Sequence, residues 1–259
     1  MSQSALNRRT FITSGVAGGL WALGGFGALG AAREMPIVLK PFAHSRTVTT
    51  FAQGLFDHWH FADETDFPPL RQMIEAEFIQ TGTPNIYDWD YRPATGPAPQ
   101  DSEADKIERR SAAFFARLAI EHIAPCALRR AGFEQMAADV ASGVLAPAAA
   151  QHTIGAADAA RCRAAGAPSP MPTLESSAYG ASAHASTTAF YAGHQEIDVV
   201  AQTGYFCARA LLDAFSYDDD IVIADTAWIW DFAAMVINAA IDLDSDTNAL
   251  HVLALNTAV

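Results

Sequence analysis

Cysteine is scarce in this chain of 259 residues: Cys126, Cys162 and Cys207 are all it has. None belongs to a CxxC pair or a Cys/His cluster, which excludes a structural zinc site, a CxxCH haem attachment and a cysteine-ligated iron–sulfur cluster. Positive charge is short as well, with 16 Lys and Arg against 29 Asp and Glu, a formal charge of −13. A surface of that sign repels nucleic acid and anionic lipid headgroups, so neither DNA nor RNA is an expected partner. Several catalytic signatures are missing. There is no G-x-S-x-G nucleophile elbow, no G-x-x-x-x-G-K-[ST] and, past residue 32, no G-x-G-x-x-G. No Glu is followed three residues later by His, which removes the usual di-iron bundle pattern. No internal repeat is visible, and only the N-terminal region holds a long apolar stretch without acidic residues, which excludes a multi-span membrane protein.

What is present begins at that N-terminus. Asn7-Arg8-Arg9-Thr10-Phe11-Ile12 fits the twin-arginine export pattern, two arginines followed one residue later by an aromatic–aliphatic pair. A Gly-rich apolar stretch runs on from Phe11 to Ala32, and Gly30-Ala31-Ala32 offers small residues for cleavage. The glycines lower hydrophobicity and helix propensity, which suits a twin-arginine leader better than a Sec leader or a stable span. An uncleaved anchor is the alternative. Residues 1–32 are therefore expected to be a leader carrying the signal residues Arg8, Arg9 and Phe11, with 33–259 a single domain in the periplasm or cell envelope. Removing two positive charges and no acid from −13 leaves that domain at −15. An oxidising compartment permits one disulfide and leaves one thiol over, with the pairing open.

Apolar residues make up 51% of the chain, enough for a core in one domain of roughly 227 residues. Val48, Phe51, Leu55 and Trp59 predict a helix over Thr47–His60. Pro68-Pro69 predicts another reaching about Gln80, and residues 81–100 read as a long Gly- and Pro-rich loop. Ser102 and Asp105 form an approximate capping box for a helix with Ile107, Phe114 and Leu118 on one stripe, and Pro125 is expected to stop it. Phe133–Ser142 and Pro147–Arg163 predict two Ala-rich helices, and 164–172 a Pro-punctuated linker or hinge. Thr188–Phe215 reads as one long helix. A β-branched run, Ile221-Val222-Ile223, leads into Ala227–Ile241, apolar nearly all round and so centrally buried. The expected fold is mainly α, an irregular helical bundle with long loops and little or no sheet.

Two groups have the composition of metal ligands. Asp57 and His60 stand three apart and share a helix face, so they can hold a metal with a histidine from elsewhere such as His122 or His194. Asp242, Asp244 and Asp246 alternate as an EF-hand loop begins, but Thr247 stands where its glycine is required and Leu253 where the closing glutamate belongs. Simple capping and an acidic turn are the competing readings. His194, Glu196 and Asp198 alternate at spacings of two and do not converge on a helix. Trp228 and Trp230, or the loop aromatics Tyr87, Trp89 and Tyr91, are candidate partner contacts, since aromatics are common interface anchors.

Tyr205-Phe206-Cys207-Ala208-Arg209-Ala210-Leu211-Leu212, followed by Asp220-Ile221-Val222-Ile223, resembles the C-terminal half of the small subunit of membrane-associated flavin dehydrogenases for sugars and alcohols. The family's Tyr-Cys and Pro-Gly-Phe-Trp elements do not follow here. The resemblance implies a helical, non-catalytic escort that the Tat translocase exports together with a flavoprotein lacking its own signal, with a cytochrome as a further partner. No cofactor is then expected in this chain, FAD residing in the partner, and membrane contact runs only through the leader or a partner. The alternative is a stand-alone periplasmic metal-dependent enzyme of helical fold.

Overall fold

Ser102 opens the longest helical run as its neighbours dictate. Its hydroxyl accepts from the Asp105 backbone N–H at 3.1 Å, and the Asp105 carboxylate accepts from the Ser102 N–H at 2.9 Å, a full capping box. Those bonds from Ser102 hold the Asp105 carboxyl below its ordinary value. The computed structural model describes residues 39–42, 44–57, 69–81, 102–165, 174–216 and 227–242, all within one compact unit, Ile37–Ser245. Among them the chain is 86% helical with no strand, so the mainly α expectation holds.

In chain order the helices are α1 (Arg46–Asp57), α2 (Pro69–Thr81), α3 (Glu103–Arg117), a π-helical segment (Leu118–Ile123), α4 (Ala124–Arg130), α5 (Glu134–Ala141), α6 (Pro147–Ala165), α7 (Leu174–Ala192), α8 (Ile197–Val200), α9 (Gln202–Ser216) and α10 (Ala227–Asp242). The most extensive contact is between α7 and α9; α1 packs on α9, and α3 and α4 close against α7. Phe51, Leu55, Phe114, Phe115, Leu118, Leu128, Leu211 and Ile237 are fully or almost fully buried. Phe51 stacks on Phe115 with ring centroids 4.8 Å apart. Val48, Phe51 and Leu55 of α1 are buried, but so is every residue from Thr47 to Leu55, so α1 is enclosed on all sides rather than on the one face their spacing predicts.

Pro125 does not end the α3 run. The turns before it widen into the π-helical segment, where the Ala124 N–H bonds to the Ala119 carbonyl, five residues back. A proline in an ordinary helix clashes with the carbonyl four residues earlier and lacks the N–H to bond it. The wider turn relieves both demands, and the helix continues to Arg130. It stops where glycine permits. Gly132, at φ 84°, lets the Phe133 N–H reach the Leu128 carbonyl and its own N–H reach Arg129, a Schellman end.

The helix expected over Thr188–Phe215 is likewise different. It begins at Leu174, ends at Ala192, and resumes as α8 and α9. The early start carries a weak apolar signal because its inward positions are Ala178, Ala181 and Ala185, fully buried yet small. The interruption at 193–196 is fixed from outside: the Arg109 guanidinium donates to the His194 and Gln195 carbonyls. Glu196, with extended backbone, then caps α8.

Candidate functional site: a histidine held by a buried carboxylate

The sequence candidates are not brought together among the described residues. Asp57 ends α1, but its side chain, His60, Asp244 and Asp246 lie outside the described residues, as do Arg8, Arg9, Phe11, Tyr87, Trp89 and Tyr91. Trp228 and Trp230 fall in the first turn of α10, with side chains outside the description. Lys40 Nζ donates to the two carboxylate oxygens of Asp242 at 2.5 and 2.6 Å. The Lys40 N–H also donates to Asn238 Oδ1, tying the start of the body to the last turns of α10. His194 Nδ1 accepts from the Glu196 N–H at 3.2 Å, and Asp198 pairs with Arg46. His122 stands in the π-helical segment, where burial lowers its pKa from the ordinary histidine value. No group of three or more His, Cys, Asp or Glu is placed to hold a metal among the described residues.

All three cysteines are free thiols. Cys126 and Cys207 are sealed in the core, and burial pushes the Cys126 thiol up to about 11 and Cys207 well above its ordinary value. Neither is a thiolate at neutral pH, so neither is an activated nucleophile.

The arrangement with chemical character is one the sequence reading missed. Ser177, Gly180, His184 and Tyr191 recur along one face of α7 opposite Phe206 and Asp213 of α9. His184 Nδ1 lies 2.7 Å from Asp213 Oδ2, with the Asp213 side chain 9% exposed and that of His184 24%. Ser177 Oγ donates to the Asp213 backbone carbonyl at 2.6 Å, which fixes the last turns of α9 against α7. Gly180 supplies the room: a Cβ there would stand 2.6 Å from Asp213 Oδ2. A carboxylate that accepts the Nδ1 proton of a neutral imidazole leaves the lone pair on Nε2. Nε2 bonds to no described residue and is not sealed from solvent. The imidazole stacks on Phe206 at 5.9 Å, Tyr191 stacks on the same ring at 5.0 Å, and Phe190 meets Tyr191 edge-on. His184 and Asp213 are 29 residues apart in the chain, and only the α7–α9 pairing brings them together.

One described helix, Glu103–Arg130, is long and apolar enough to cross a membrane by length and composition. Its apolar window is 72% buried inside the body and the helix carries Glu108, so it is the core helix of this unit. Compared with models of protein families, with curated proteins and with solved structures, the chain matches none.

Proposed function

We propose that this protein is an accessory subunit of a cell-envelope oxidoreductase, exported by the twin-arginine route together with a flavin-dependent dehydrogenase that it escorts and stabilises. The observation that carries the reading is Asn7-Arg8-Arg9-Thr10-Phe11-Ile12 ahead of a Gly-rich apolar stretch. That route moves finished, folded bodies, which is the reason to send a loaded cofactor enzyme through on a companion's signal. The acidic charge and the likeness of Tyr205–Leu212 to flavin dehydrogenase small subunits support it further. A reporter fused behind residue 40 is expected to leave cells that possess the twin-arginine translocase and to stay inside cells without it. Retention in the first cells, or escape from the second, defeats the reading.

The second reading is a stand-alone periplasmic metal-dependent enzyme using Asp57, His60 and His122 or His194. The specific observation in favour of a catalytic role for this chain is the His184–Asp213 pair, whose geometry is that of a held general base. The metal version predicts stoichiometric metal in the purified protein that His60→Ala removes. Background metal content disposes of it.

A further inference from the structure

The stretch that follows the expected leader is clasped by three helices from different parts of the chain. The Lys40 N–H donates to Asn238 Oδ1 at 2.9 Å and Lys40 Nζ to Asp242, across 198 and 202 residues of sequence, both acceptors lying on α10. The Phe42 N–H donates to Glu77 Oε1 of α2 at 3.1 Å, and the Phe42 ring, fully buried, meets Phe78 edge-on at 5.9 Å. Ser45, Arg46 and Thr47 donate to Glu108 of α3. Helix α10 in turn packs on α1, α2 and α3, with Phe232, Val236 and Ile237 buried. The Lys40–Asp242 pair is half exposed, at 49% and 45%, so by itself it contributes modestly. Its weight lies in where it is placed.

Contacts between residue 40 and residues 238 and 242 close late. The entropy of joining points so far apart is recovered only once α10 sits on the helices around it. Of the three anchors, Glu77 and Glu108 belong to helices made early, whereas α10 is the last of the described helices to be synthesised. We propose that residues 40–42 form a latch between the leader's end of the body and α10, so that the segment behind the leader is fixed only in a chain whose last described helix is in place, and that export favours latched chains. The inference rests on the twin-arginine reading and names the contact through which completeness of the fold reaches the segment next to the signal. A chain that has not yet placed α10 leaves the Lys40 N–H and ammonium without these acceptors, and the start of the body is then held by α2 and α3 alone.

The test uses the full chain in three forms: Asp242→Lys, which sets like charges against each other; the swapped pair Lys40→Glu with Asp242→Lys; and, as control, Lys106→Met, which removes an unconnected surface pair with Glu103. In the purified protein, amide hydrogen exchange at Lys40 and Phe42 is expected to quicken at least threefold in Asp242→Lys, with α9 amides unchanged, and to return to its original rate in the swapped pair. Export from cells possessing the twin-arginine translocase is expected to fall at least twofold for Asp242→Lys and to recover in the swapped pair, while Lys106→Met leaves as the unaltered chain does. Unchanged exchange at residues 40 and 42 overturns the latch, as does an equal quickening in α9 or a swapped pair that stays open. An Asp242→Lys chain that is open by exchange yet exported in full overturns the coupling to export. If the unaltered chain does not leave by the twin-arginine route, that reading and the export half of the proposal fall together, and the exchange measurement still decides whether the latch exists.

Discussion

Glu108 and Asp213 are both buried carboxylates, and they differ in how their networks end. Glu108, on α3, accepts from the Arg46 N–H at 2.8 Å, the Thr47 N–H at 2.9 Å, the Thr47 hydroxyl at 2.7 Å and the Ser45 hydroxyl at 3.2 Å. It caps the N-terminus of α1, where free N–H groups and the helix dipole favour a negative charge. Each of those donors belongs to the chain, and the network is closed. Asp213 also sits in a prepared place, made by Gly180 and Ser177, but its side-chain partner is a partly exposed imidazole whose second nitrogen bonds to no described residue. A closed network stabilises and has no further capacity. An open one positions a polar atom for something outside the body, and that is the physical reason to look for function at His184 rather than at Glu108.

The contrast can be broken at the closed end first. Glu108→Gln keeps the volume but points an amide donor at backbone donors; the expected loss is on the order of 3 kcal/mol of stability, read from urea unfolding. A loss too small to measure would mean that the cap is dispensable. At the open end, Gly180→Ala puts a methyl group on the Asp213 carboxylate and should cost about 2 kcal/mol by forcing α7 and α9 apart. His184→Gln, which leaves α7 and α9 in contact, should cost less, about 1 kcal/mol. If His184→Gln were the more damaging of the two, the histidine would be holding the helices together.

How much of this was legible in the sequence follows from the size of the side chains involved. Helices α1 and α3 announced themselves through Phe and Leu at helical spacing and through the Ser102–Asp105 box, and both form where those residues lie. The first half of α7 did not, because alanine and serine give no hydrophobic contrast between faces even where they are fully buried. Pro125 carried the wrong message for a different reason: a π-helical turn, which no single residue type signals, accommodates it. His184 and Asp213 are separated by 29 residues and neither lies in a motif, so nothing short of the α7–α9 pairing could join them. The uncharged run Ser176–Gln195 was the one signal of that site present in the sequence.

A third ionisable group sharpens the comparison with a smaller effect. His122 is held below the ordinary histidine value by burial rather than by a partner, so at neutral pH its imidazole is uncharged. As pH falls the unfolded chain takes up this proton first. The stability contributed by neutral His122 is therefore complete above the unfolded value of 6.5 and is lost as pH drops through the lower folded one. Comparing thermal unfolding at about pH 7 and about pH 5, His122→Gln should reduce the acid-induced fall in Tm by a few degrees. An identical fall in both proteins would show that His122 is freely protonated in the folded state.

The central claim, that this chain is a companion and the flavin chemistry belongs to another polypeptide, meets its most direct test in gentle purification of the unaltered protein from the envelope fraction of its host. The account predicts a complex holding this chain and a flavin-containing polypeptide in equal amounts, the flavin absorbance travelling with the partner after the two are separated. A folded, soluble monomer that carries no flavin and is active by itself would contradict it.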